Sequence, residues 1–280
     1  MPKKDITAGE TLCTFVKRHI LDARQWSELT ESLSATGRGE QWAGFVEEVV
    51  STQLTGRLVT AGKSIAENLG GKEILDTLQF EQQLNAMTRE TTVIPIGKRE
   101  QTRLLDLIKR AVRATYGKVT EADKQILREE IGVRPSCYLC NLPLELRVDS
   151  FENPTDDQIK RAVEYEHVWP RAYGGDTTID NLALSCKDCN QRKDCYANWS
   201  MVDIQSLVLG FNPSDQTLAK IAGWRRFAIL SYAAHKLADE ASLSLKDAHL
   251  RLQYKIAVPR VRRPADVADF FNLITHMENN

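Results

Sequence analysis

The sequence has no apolar run near the roughly 20 residues that cross a bilayer, so it offers no membrane-spanning helix. It has no internal repeat and no low-complexity segment, which argues against a solenoid or a compositionally biased tail. It has almost no net charge, −1 at pH 7. A chain this neutral can bind nucleic acid only by segregating its cations, because phosphates need local positive charge. Cysteine is sparse, six in 280 residues, too few for a disulfide scaffold. The opening Met1-Pro2-Lys3-Lys4-Asp5 is charged, and no signal-peptide apolar stretch follows it. The expectation is a soluble, cytoplasmic protein with no membrane partner.

Hydrophobic residues make up 42% of the chain, enough for a core and too many for a disordered protein. The charges do segregate. Lys98 to Lys118 holds seven Lys/Arg and two acids; Arg251 to Pro264 holds five Lys/Arg and no acid; Ile20 to Val50 holds six acids and two arginines. Each basic stretch is either a solvated helix face or a surface turned toward nucleic acid.

Residues 10–90 read as helical. Leu12, Phe15, Val16, His19 and Ile20 recur at helical spacing, as do Trp42, Phe45, Val46, Val49 and Val50. Gly37-Arg38-Gly39 and Gly70-Gly71 interrupt the pattern, and Val93-Ile94-Pro95-Ile96-Gly97 reads as an extended connector. Beyond it, Leu104, Leu107, Ile108, Ala111 and Val112 form one apolar stripe. Thr120 caps a helix over 121–131, Gly132 stands at its C′ position, and Arg134-Pro135 stops propagation. Leu142, Leu144 and Leu146 alternate as in a short strand. Thr155 and Gln158 form a capping box for a helix running to about Val163. Tyr165 to Pro170 reads as a strand entering a loop with Gly174-Gly175, Leu182 to Ser185 as a second strand, and a helix starts near Lys187. Helical spacing returns at Leu218, Ile221, Ala222, Arg225 and Ile229, and Ala265 to Ile274 reads as a closing helix behind Pro264. The expected fold is mainly α with a small α+β core, divided into a helical N-terminal region 1–97, a central domain 98–200 with leading helices, and a helical C-terminal region 201–280.

Four of the cysteines form two Cys-x-x-Cys pairs, Cys137/Cys140 and Cys186/Cys189, with 45 residues between the pairs. In a reducing compartment such pairs point to metal rather than to disulfides. Two knuckles supply four thiolates for one tetrahedral structural Zn²⁺ per chain. Such an ion contributes on the order of 10 kcal/mol at neutral pH. Cys13 and Cys195 read as small buried hydrophobes.

The string Cys137-x-x-Cys140, Glu166-His167-Val168-x-Pro170, Gly174-Gly175, Asp180-Asn181-Leu182 and Cys186-x-x-Cys189-Asn190-x-x-Lys193 resembles the HNH endonucleases of the cysteine-bearing type. The resemblance covers residues 135–195 and implies a ββα-metal module stapled by the four-cysteine zinc site and flanked by helical regions. It makes His167 the general base that activates water, a task suited to a neutral imidazole. It gives Asn181 the task of fixing the loop and orienting that histidine. It assigns Glu166 and Asn190 to a catalytic Mg²⁺ or Mn²⁺, for which oxygen donors are suitable. Position 166 is more often aspartate or histidine in this family, and glutamate reaches one methylene further. The last histidine of HNH is here Asn190, a familiar variant. Lys193, Arg192 and Arg171 are expected at phosphates, with ordinary solvation as the alternative. Trp169 is expected to pack under the loop rather than stack on a base. His19, His235, His249 and His276 read as structural or exposed.

The resulting expectation is a metal-dependent endonuclease that hydrolyses phosphodiester bonds of double-stranded DNA, nicking one strand per site. Bacterial anti-phage defence or restriction is the expected setting, with the helical flanks free to bind partner proteins of the same system. Two alternatives stay open: a non-catalytic zinc module that binds nucleic acid or protein, and a ribonuclease using the same site.

Overall fold

The computed structural model describes residues 4–21, 31, 39–91, 96–131, 135–146, 148–201 and 214–252. Contacts divide the chain into two compact units. A helical unit takes Asp5–Lys118 and Trp169–Thr177; a cysteine unit takes Met1–Lys4, Val119–Val168 and Thr178–Asn280. Among the described residues no helix is long and apolar enough to cross a membrane.

The helical unit holds α1 (Ala8–Phe15), which runs on as a π-helical turn Val16–Ile20, then α2 (Gly39–Leu69), α3 (Leu78–Thr91) and α4 (Lys98–Ala114). Helix α1 starts where it does because Thr7 and Glu10 form a capping box. Asp176 satisfies a further orphan donor, the Ala8 N–H, at 2.8 Å. The predicted stripe on α4 is buried, Leu104, Leu107, Ile108, Ala111 and Val112 being at most 3% exposed, and it shares one core with Leu12, Phe15, Val16, Leu58 and Leu84. Burying each such side chain is worth roughly 1.5–3 kcal/mol. Lys98–Ala114 buries its apolar face among the N-terminal helices and falls in their unit. Within the basic stretch, Lys109 and Arg113 pair with Asp76 at 2.9 and 2.6 Å.

The segment Trp169–Thr177 is built into this helical unit. The Gly9 N–H donates to the Gly174 carbonyl at 2.9 Å. A Cβ on Gly9 would lie 1.9 Å from the Tyr173 carbonyl oxygen, and one on Gly174, already at φ +79°, would lie 2.6 Å from Ala111 Cβ. Trp169 is 1% exposed and its Nε1 donates to the Tyr173 carbonyl at 3.0 Å, so it packs under the loop.

The cysteine unit contains α5 (Glu121–Ile131), α6 (Asp156–Lys160), β1 (Val163–His167), β2 (Leu182–Cys186), α7 (Lys187–Lys193), α8 (Asp215–Ala241) and α9 (Leu245–Leu252). Thr120 caps α5 reciprocally with Asp123. Thr155 and Gln158 form the predicted box on α6, which ends at Lys160 because strand pairing begins at Val163. The strands are antiparallel, with Val163 opposite Cys186 and His167 opposite Leu182, and α7 follows at once. The sequence order is therefore strand, loop, strand, helix. The expected strand at Leu142–Leu146 is not regular: Ser136 bridges Pro143 and Glu145 bridges Ala162 singly. Leu144 alone is buried there, while Leu142 and Leu146 are exposed. Gly39 is the first residue of α2, and Gly70 and Gly71 close it with positive φ. Gly37, Arg38, Val93 to Pro95, Gly132, Arg134, His276 and the helix expected at Ala265 to Ile274 lie outside the described residues, as do the side chains of Trp42, Phe45, Val46, Leu218, Ile221, Ala222 and Arg225.

Candidate metal centre and nuclease face

The first cysteine pair reaches the second through the free edge of β2. The Tyr138 N–H donates to the Leu184 carbonyl at 3.0 Å, which lays the first knuckle along that strand. The knuckle turns on itself through Cys137 N–H to the Leu142 carbonyl (2.9 Å) and Asn141 N–H to the Cys137 carbonyl (2.8 Å). Asn141 takes the left-handed conformation, φ 61°, that the turn requires. The second pair sits where β2 becomes α7. Cys186 is the N-cap, and its sulfur accepts from the Cys189 N–H.

The four sulfurs of Cys137, Cys140, Cys186 and Cys189 lie within 4.8 Å of one another. Cys140 and Cys186 are 3.8 Å apart, too far for a disulfide. Tetrahedral sulfur around zinc implies neighbours about 3.8 Å apart. The donor set is therefore positioned for a metal ion. Electrostatics agree. Hydrogen bonds among the sulfurs pull Cys140 well below the thiol range and bring Cys186 to about 7, while they push Cys137 and Cys189 well up. Four acids in so small a volume resist ionising together unless a cation joins them. Of the two remaining thiols, Cys13 is buried as expected, whereas Cys195 is exposed.

β1 and α7 also bring acids, an amide and a lysine together. Alternation places Glu164 and Glu166 on one face of β1. Asn190 and Lys193, three apart, share one face of α7. Asn190 Nδ2 donates to Glu164, and Lys193 Nζ donates to Glu166 Oε1 at 2.6 Å. Lys193 is only 2% exposed and also donates to the His167 carbonyl at 2.9 Å. Burial pushes the Glu166 carboxyl above the usual range, against the pull of the Lys193 ammonium. Tyr165 projects from the opposite face, its ring under Lys124 and Arg128 of α5.

His167 is half-buried at the end of β1. The next peptide is held from across the sheet: the Val168 N–H donates to the Asn181 carbonyl at 2.8 Å, and Asn181 is 3% exposed. So the structure gathers His167, Glu166, Asn190, Asn181 and the four cysteines around one β1–β2–α7 unit. The three cations expected at phosphates each have a partner within the protein. Lys193 is buried against Glu166, Arg192 pairs with Asp188 at 3.1 Å, and Arg171 donates to the Gly117 carbonyl within the helical unit. Glu164 was not among the expected site residues. Its signal was available: two positions before Glu166 on a strand is the same face.

Residues 137–194 match the HNH endonuclease family model. The match covers about a fifth of the chain and takes in both cysteine pairs, the two strands and α7. It supports nuclease activity in general, and with it a nucleic-acid substrate. The curated proteins and the solved structures gave no match.

Proposed function

We propose that this HNH domain hydrolyses phosphodiester bonds of double-stranded DNA, with His167 as general base and a divalent ion at Glu166 and Asn190. The observation that carries the reading is the β1–α7 face, where Asn190 meets Glu164 and Lys193 meets both Glu166 and the His167 carbonyl. The donors fit a hard cation. Glu166 Oε1 takes Lys193, but a carboxylate has about four lone-pair sites and can also ligate. Asn190 turns its amide nitrogen to Glu164, which leaves its oxygen as a donor. Mg²⁺ or Mn²⁺ bound there would supply positive charge where the phosphate gains negative charge.

This chain's own residues do the rest. His167 takes a proton from the attacking water, and Lys193 and the Asn181 carbonyl hold the backbone on either side of the His167–Val168 peptide. The four cysteines hold one Zn²⁺, which ties the first knuckle to β2 and α7 and does no chemistry. One site engages one phosphate, so a single chain nicks one strand. Anti-phage defence or restriction is the setting we favour, with the surrounding helices as the contact for partner proteins. The runner-up, an RNA substrate, uses the same phosphate chemistry.

The test is cleavage of supercoiled plasmid with Mg²⁺ or Mn²⁺. Wild type should yield open circles, and His167→Ala should be slower by roughly 10²–10⁴. Equal rates for the two proteins would remove His167 from the chemistry. Cleavage of a matched RNA in place of plasmid would replace the DNA reading.

A further inference from the structure

Strand β1 offers two acids to α7, and each is met by one residue. Glu166 receives an ammonium, which has no preferred end. Glu164 receives an amide, which has two. Asparagine carries a donor nitrogen and an acceptor oxygen, and a carboxylate only accepts. The contact therefore settles which end of Asn190 faces the strand: Nδ2 does, and Oδ1 is turned away from Glu164. An amide nitrogen has no lone pair to give a hard cation, whereas the oxygen does.

We infer that Glu164 is a positioning residue for the divalent ion, setting the Asn190 amide so that its oxygen rather than its nitrogen is presented. The inference rests on the reading of Asn190 as a holder of that ion. Asparagine's terminal torsion is broad and roughly two-fold, so the backbone does not choose the orientation. Glu164 chooses it, and its charge is not what is needed; an acceptor oxygen at that point is. Outer partners of this kind typically contribute 10–100-fold to metal affinity.

The experiment measures Mn²⁺ binding to the full chain by loss of the free-ion EPR signal, on protein whose thermal midpoint matches wild type. Glu164→Leu removes the acceptor and should weaken binding by about 10–100-fold. Glu164→Thr, suited to a strand but too short to reach Asn190, should behave alike and stands in if the leucine variant does not fold. Glu164→Gln keeps an acceptor oxygen and should bind close to wild type. Asn190→Ala should also weaken binding, and adding Glu164→Leu to it should cost nothing more. Wild-type binding in Glu164→Leu and Glu164→Thr overturns the inference. So does equal loss in Glu164→Gln, which would make Glu164 a ligand, and so does additivity with Asn190→Ala. A wild-type protein that neither binds Mn²⁺ nor cuts plasmid instead removes the nuclease reading, and the inference goes with it.

Discussion

Around the four cysteines, groups of one kind are crowded together: four sulfurs within 4.8 Å, all acids, with no counter-charge among them. On the β1–α7 face unlike groups are paired, Glu164 with a neutral amide and Glu166 with Lys193. Both sites use α7, whose N-cap is Cys186 and whose last residue is Lys193. The difference concerns where neutralisation comes from. The cysteine centre needs a cation from outside before its four thiolates can coexist, so its ion is part of folding. The other face carries its own cation, Lys193, for the buried carboxylate of Glu166, so that pair can form without an ion from outside.

The largest expected effect breaks the cysteine side of that comparison. Cys189→Ser, or stripping with a strong chelator, should remove the bound metal and on the order of 10 kcal/mol of stability with it. Metal analysis should fall from one zinc per chain toward none, and the cooperative thermal transition of the cysteine unit should disappear. Withholding Mg²⁺ and Mn²⁺ from zinc-loaded protein should leave that transition in place. A Cys189→Ser variant that melts like wild type would mean the sulfurs are not a structural centre.

The next effect tests internal neutralisation. Lys193→Met leaves the Glu166 carboxylate buried without its partner, which typically costs about 3–5 kcal/mol. Adding Glu166→Gln removes the stranded charge and should restore much of the loss. Acidification should also help the single variant, because burial already holds the Glu166 carboxyl above its usual range and a protonated carboxyl needs no cation. If Lys193→Met unfolds no more easily than wild type in urea, the pair is not what holds this face together.

The two sites were also unequally legible. Cysteine spacing is a local property, and Cys-x-x-Cys twice is enough to infer a metal centre. The β1–α7 face depends on how a helix is rotated against a strand. The resemblance names His167, Glu166, Asn190 and Asn181 by their place in its motif; a phosphate is the expectation for Lys193. Its burial follows from the α7 face turned to β1, which no spacing within 187–193 reveals. Glu164 shares the face of Glu166 by alternation, but nothing in the sequence shows that α7 sets an amide against it. The sequence places Gly174-Gly175 in a loop; that Gly174 meets Gly9 and Ala111, some 165 and 63 positions away in sequence, needs the folded helical unit. The stripe on α4 is buried residue by residue as read, but periodicity says only that a face is buried and not against what.

The smallest effect sharpens the comparison by asking whether another buried base near this face also resists charge. His249 of α9 is 7% exposed, with its ring edge-on to Tyr138 at 5.4 Å. Burial, and secondarily the Lys193 charge, lowers its pKa from 6.5 to about 3. The sign follows directly. Below pH 6.5 the unfolded chain takes up a proton that the folded chain refuses until about pH 3. Stability is therefore unpenalised above pH 6.5 and falls as the pH drops toward 3, by at most about 1.4 kcal/mol per pH unit from this residue. Thiolate protonation at the cysteines also weakens the fold in acid, but it does so in a variant as well as in wild type. The informative quantity is the difference: His249→Gln should lose stability less steeply than wild type between pH 6.5 and 4.5, as read from urea midpoints. Parallel curves for the two proteins would mean that His249 takes up its proton in the folded state as readily as in the unfolded one, and that the charge of Lys193 does not reach it.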